Sequence, residues 1–255
     1  MSRFSDVDGA PDVGSLVAYL DGTDRGLAPM KSYMASSAAL HAPGGVILDV
    51  GCGVGSDLSR LGSLGLRPLG VDRSMSMLTI ARGRLGSAVP FVQADAACLP
   101  FRDASIDGCR IERELQHVAV PAAVVSEIAR VVRPGGFLAS FDTDYTTYRA
   151  ETNDQALAGL PGSVSRVRHP SVGGDLVDLF VGAGFEISNV VTERSHAWSF
   201  DRLPAHTMGS IERAVADDVL GADDAQRWVD EQLSRSAAGT FRAAWEKILL
   251  TATRT

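Results

Sequence analysis

The stretch VILDVGCGVG, residues 46–55, sets a carboxylate, Asp49, just ahead of a turn carrying Gly51, Gly53 and Gly55. Glycines at alternate positions let the backbone turn sharply, and let a ligand approach main-chain atoms that a Cβ would shield. Three roles share this pattern: a phosphate cradle for a dinucleotide, a cradle for another nucleoside, or a plain strand–helix turn. Further acids recur downstream. Asp72 closes RPLGVD, Asp95 closes PFVQAD, and Glu112 opens ERELQH at 112–117. Asp72 follows Gly51 by about twenty residues, the separation at which a strand-end carboxylate meets a ribose diol. A dinucleotide site usually stays apolar where Asp49 stands, and an acid there suits a ligand bearing an amino group. Ser56 is tolerable, but is not the Gly or Ala that a dinucleotide turn uses to seat its helix. Asp72 could also serve as a cap for the following helix, and the two roles can coexist.

These residues need a scaffold that brings strand ends together. The β-branched run at 46–50 reads as a strand, followed by a helix at about 55–65, strand RPLGVD and a helix at 74–85 with Ser74 as N-cap. Strands PFVQAD (90–95) and SIDGCRI (105–111) follow, then a helix over 121–132. RPGG stops that helix before a fifth strand, FLASFDTD. Strands alternating with helices of this length predict a parallel sheet wound on both faces, with ligands beyond the carboxyl ends of the strands. Residues 12–42 read as two short helices broken by DGTDRG, and 145–172 as a loop with little regular structure. SVGGDLVDLFVGAGF reads as a helix ending at Gly184, EISNVVTE as a strand, 201–238 as helical and the final WEKILLTATRT as strand-like. The expectation is a single domain over 1–255, with 12–42 and 195–240 as cap or lid elements.

The 255 residues suffice for one α/β domain, and the net charge of −7 argues against a surface that grips nucleic-acid phosphates. No run approaches membrane-span length, and the N-terminus carries no basic-then-apolar signal, so a cytoplasmic protein is expected. Cys52, Cys98 and Cys109 lack CxxC spacing and read as small buried residues. The histidines are scattered without ligand spacing, so no metal is expected.

LDVGCGVG, GVDRS, QADAACLPF and EIARVVRPGG together resemble the class I S-adenosylmethionine-dependent methyltransferases over roughly residues 30–195. The branch is similar to ubiquinone/menaquinone-biosynthesis methyltransferases and to small-molecule enzymes of bacterial natural-product pathways. The resemblance implies a Rossmann-like doubly wound sheet of seven strands, the last antiparallel, with a helical cap. It also implies S-adenosylmethionine as cofactor. By it, Gly51, Cys52 and Gly53 hold the methionine part, with Asp49 near the ammonium, and Asp72 accepts both ribose hydroxyls. Asp95 and Ala96 face the adenine, which Met77 and Leu99 flank, while Glu112 and Arg113 meet the methionine end.

A sulfonium methyl is already activated, so the protein chiefly holds an acceptor in line and excludes water. A base is needed only where the acceptor loses a proton. His117, Asp144 and Tyr145 are the catalytic candidates. Asp142 shares a strand face with Asp144, which lies nearer the strand end. His169 could reach the pocket, whereas His41, His196 and His206 read as surface or packing residues. Trp198, Phe200 and Met208 could line an acceptor pocket or form cap core. Leu16, Tyr19 and Met34 suggest an acceptor with an apolar or aromatic body. O-, N- and C-methylation stay open, as do oligomeric state, a cyclase or isomerase on the same fold, a quinone C-methyltransferase and a non-catalytic binding module. Nucleic-acid methylation is disfavoured, because ERELQH is not the Pro-aromatic motif that grips a flipped base.

Overall fold

A computed structural model describes residues 4, 7–165, 167–200 and 206–255. Its centre is a seven-stranded sheet in the order β3-β2-β1-β4-β5-β7-β6. The strands are β1 (Val46–Val50), β2 (Arg67–Asp72), β3 (Phe91–Gln93), β4 (Ile106–Glu112), β5 (Val132–Ala150), β6 (Phe185–Ala197) and β7 (Ala243–Arg254). β1 to β5 pair in parallel, and β7 runs antiparallel between β5 and β6. Chain order reverses between β1 and β4, so their carboxyl ends open the crevice in which such sheets bind ligands.

Period-two alternation sorts the sheet into two apolar faces. Phe137, Ala139 and Phe141 of β5 pack with Met30, Met34 and Ala38 of α1 (Val13–His41) and with Leu58 and Leu61 of α2 (Leu58–Ser63). α3 (Met75–Leu85) adds Leu78 to that face. Leu138, between them on β5, faces α4 (Pro121–Val131) and α6 (Val172–Gly182), which bring Ile128 and Phe180. β1, with four of its five residues buried, is covered on both sides, as a central parallel strand requires.

Three expectations are corrected. Within 12–42, Val13–His41 form one helix of 29 residues, not two. The stretch DGTDRG is carried through because its acids find cations: Asp21 pairs with Arg84 at 2.8 Å and Asp24 with Lys31 at 2.7 Å. Leu27, Met30 and Met34 beyond it bury a continuous apolar stripe, so packing outweighs the helix-weakening glycines. The region 145–172 is not mostly irregular. β5 continues to Ala150, pairing with Ala243 after a bulge between Asp144 and Arg149, and α5 (Leu160–Ser163) packs on it. This extension carries a separate apolar cluster in which Tyr148, Trp228 and Phe241 are fully buried and Ile211 and Ala214 join them. α7 (His206–Ala216) and α8 (Ala222–Ala237) close it. Cys98 is exposed, unlike Cys52 and Cys109.

α6 docks on β5 through Gly173. A Cβ there would fall 2.6 Å from the backbone nitrogen of Asp144. Gly173→Ala is expected to destabilise the protein by about 1–3 kcal/mol, because the crowding exceeds the helix propensity that alanine gains. An unchanged midpoint in denaturant unfolding would contradict this packing.

Candidate active site

The turn after β1 is built as its glycines require. Gly51, Gly53 and Gly55 all adopt left-handed φ values of 70°, 51° and 77°. The N–H groups of Gly51 and Cys52 both donate to the Val71 carbonyl at 2.9 Å, which ties the turn to β2. Above it a cavity opens at the strand ends. Gly51, Cys52, Gly53, Asp72 and Met77 line it on one side, and Glu112, Arg113, Glu114, His117 and Tyr145 on the other. Leu16 and Tyr19 of α1 roof it, together with Phe4.

Nine of the fourteen residues singled out in the sequence as cofactor or catalytic candidates thus meet at one cavity; Asp49, Asp95, Ala96, Leu99 and Asp144 do not line it. Asp49 lies directly across the β1–β4 register from Arg110, buried, with its carboxylate 2.7 Å from the guanidinium. The acids that do line that end of the cavity are Asp24, Asp57 and Glu112. Asp95 is exposed and accepts the N–H of Ala97, while Ala96 and Leu99 pack into the core on the α4 side. Asp144 turns toward α6, where it accepts from Thr146 at 2.9 Å and would be 2.9 Å from a Cβ on Gly174. His169 bonds the carbonyls of Val118 and Ala119. His41 stacks on Phe137 and His196 on Trp198, as packing residues do. Phe200 and Met208 belong to the cluster around Trp228, and Trp198 is exposed under Arg242. The His206 side chain lies outside the described residues.

At the Asp24, Asp57 and Glu112 end of the cavity lies a buried charge network that the linear pattern did not reveal. Arg110 reaches Asp49, Asp57 at 2.9 Å and Glu112. Lys31 of α1 reaches Asp24 at 2.7 Å, Asp57 at 2.5 Å and Glu112 at 3.5 Å. Burial pushes Asp49 up to about 6 despite Arg110, whereas Arg110 and Lys31 outweigh burial at Asp57 and hold it below its ordinary value. Arg113 sits beside Glu112 with a left-handed φ of 52°, unusual for a non-glycine, and its N–H donates to Phe141 O at 2.7 Å.

The other pole of the site is acidic and short of cations. Asp72 accepts the N–H of Gly53 and of Ser74, each at 2.8 Å and on different oxygens, while burial raises its pKa. A carboxylate has about four acceptor positions, so two remain for a diol. Glu114, which sequence reasoning passed over, lies against Gly51 and burial pushes it up to about 8. Burial pushes Asp142, behind it on β5, to about 8 as well. His117 is held from two sides: Gln116 Nε2 lies 3.1 Å from its Nε2, and the Phe4 ring is 5.3 Å away.

These features fit S-adenosylmethionine. A Cβ on Gly53 would meet nothing nearer than Leu20 at 3.8 Å, which leaves an open main-chain surface. Asp72 keeps acceptor positions that a ribose diol could fill, and acids paired with Lys31 and Arg110 line the far end of the cavity. A methyltransferase-domain family matches residues 48–140. An O-methyltransferase of Aspergillus sclerotiorum is 33% identical over 78% of this chain and 74% of its own. An uncharacterised 37.1 kDa transposon protein of Streptomyces fradiae is 37% identical over 89% of this chain and 68% of its own. A Bacillus halodurans structure described as a methyltransferase superposes with a TM-score of 0.63 at 20% identity, covering 88% of this chain and 99% of that one. The chain belongs to the class I S-adenosylmethionine-dependent methyltransferases, and S-adenosylmethionine is its cofactor.

Asp72→Ala is expected to weaken S-adenosylmethionine binding by about 1.5–3 kcal/mol, the loss of hydrogen bonds to a charged group. Calorimetry that finds wild-type affinity in the folded variant would contradict the ribose role of Asp72.

Proposed function

We propose that this enzyme methylates an oxygen on a small acceptor with an apolar or aromatic body, in bacterial secondary metabolism. The observation that carries the reading is the cavity wall opposite the Gly turn, where Phe4, Leu16 and Tyr19 meet His117 and Tyr145. Such a wall binds a ring by burial and leaves one polar corner to orient a hydroxyl. The Aspergillus relative, named an O-methyltransferase, supports oxygen as the acceptor atom.

The cofactor supplies an electrophilic methyl on a sulfonium. The chain's residues supply the rest. In this reading Gly51 and Gly53 bring the main chain close to the methionine part, and Asp24, Asp57 and Glu112 take over at its ammonium the role that Asp49 gives to Arg110. His117 is the base: with the Gln116 amide turned to present its oxygen to Nε2–H, Nδ1 takes the acceptor's hydroxyl proton as oxygen attacks. Tyr145, whose phenol burial keeps protonated, orients the acceptor by a hydrogen bond. Asp144 has no part in this reading, because its carboxylate serves Thr146. The first turns of α1, with α7, whose Gly209 lines the cavity, form a cover that opens for the acceptor and closes to exclude water. The chain then acts as one methyltransferase domain.

The test is incubation with S-adenosylmethionine and a panel of phenols, amines and activated carbon acids, followed by mass spectrometry. A phenol gaining one methyl with stoichiometric S-adenosylhomocysteine is expected. His117→Ala should lower turnover at pH 7 by about 10² or more, with the deficit shrinking as pH nears the phenol's own pKa of about 10. Methylation confined to amines, or an isomerised product with the cofactor unconsumed, would contradict the proposal.

A further inference from the structure

Glu114 has no place in the scheme above, yet its setting is unusual. A Cβ on Gly51 would lie 2.8 Å from the Glu114 carboxyl, so this side chain is draped over the first glycine of the turn. It lines the cavity, and among the described residues no hydrogen bond or ion pair reaches its carboxyl. The titratable groups around it are nearly all acids or potential anions: Asp72 at the end of β2, Asp142 on β5, Asp95 beyond β3 and Cys52 in the turn. Arg73, exposed at the rim, is the cation that acts on it. The cations of the buried network, Lys31 and Arg110, are spent on Asp24, Asp49, Asp57 and Glu112. A carboxyl left unpaired among carboxylates in a low-dielectric cleft is a place prepared for a cation.

The cofactor carries one at the matching point. Its sulfonium is the atom that joins the ribose, assigned to Asp72, to the methionine chain, assigned to the Gly turn and Glu112. Glu114 lies against Gly51 and feels the Asp72 carboxylate, which puts it within reach of both. We propose that the Glu114 carboxylate pairs with the cofactor's sulfonium and is the residue that makes this site prefer S-adenosylmethionine over its demethylated product, whose sulfur carries no charge.

The proposal rests on the cofactor assignment and is independent of the acceptor. In the free protein, burial beside Asp72 keeps Glu114 protonated at pH 7, since its pKa is pushed up to about 8. Glu114 therefore releases a proton to solvent when it pairs with the cation. Once methyl transfer leaves the C–S bonding pair on sulfur, the partner is a neutral thioether. The carboxylate is then unpaired and buried, takes back a proton, and no longer holds the product. Affinity for S-adenosylmethionine should rise with pH up to about 8, because the ionised carboxylate is the binding form, and affinity for the product should not.

The experiment is calorimetric titration of the full chain with S-adenosylmethionine and with S-adenosylhomocysteine, at pH 7 in two buffers of different ionisation enthalpy. The wild type should release close to one proton on binding the first ligand and none on binding the second. Glu114→Gln should lower affinity for S-adenosylmethionine about tenfold or more, the scale of a partly buried charge pair, and leave S-adenosylhomocysteine within about threefold. Equal losses for both ligands would assign Glu114 to a group they share, the ammonium or the ribose, and overturn the proposal. So would a wild type that releases no proton, a result that does not depend on how the variant folds. Wild-type protein that binds neither ligand would overturn the cofactor assignment, and the proposal with it.

Discussion

A guanidinium buried at the junction of the two central strands governs this molecule. Arg110 is nearly inaccessible, and it bridges Asp49 on β1, Asp57 at the start of α2 and Glu112 at the end of its own strand. Taking such charges out of water costs several kcal/mol per ion, and only complete pairing offsets it. α1 crosses this end of the sheet and brings in Lys31 as a second cation for the same acids. The fold and the site are therefore one problem. β1 and β4 must stay in register for Asp49 to meet Arg110, and α1 must run unbroken through its polar middle for Lys31 to arrive.

The network divides the strand ends into two electrostatic regions. On the side of Arg110 and Lys31 acids are matched by cations, and Asp57 is held ionised. Across Gly51, the acids Asp72, Glu114 and Asp142 outnumber their cations, and burial raises all three. A ligand with a zwitterionic end and a separate positive centre complements both. The linkage also has a sign for the unliganded protein. Glu114 and Asp142 hold protons in the folded state that the unfolded chain releases above about pH 4.5, so their contribution to stability is full at low pH. It is lost as pH rises through about 8. Cofactor binding relieves part of that penalty.

Much of this was legible in the sequence where the signal is local. The Gly turn, the strand-end position of Asp72 and the strand–helix rhythm rest on a few neighbouring residues, and each appears at its expected place. The polar DGTDRG, with Gly22 and Gly26, reads as a break in α1, while the burial of Met30 and Met34 that overrides it is tertiary. Alternation put Asp142 and Asp144 on one face of β5, but it could not say that α6 would cover Asp144. Arg110 reads as an odd charge in an apolar strand until the β1 register sets Asp49 beside it. Glu114 was hidden for the same reason, since its packing on Gly51 joins residues that only the sheet brings together.

The central claim is that Arg110 organises the strand ends for the cofactor. Thermal unfolding of Arg110→Met, with and without S-adenosylmethionine, tests it most directly. Removing one partner of a buried pair should cost about 3–5 kcal/mol and strand Asp49 without its counter-ion. A clearly lowered midpoint is expected, together with loss of the upward shift that the cofactor gives the wild type. A variant that melts with the wild type and is stabilised by the cofactor to the same degree would contradict the claim.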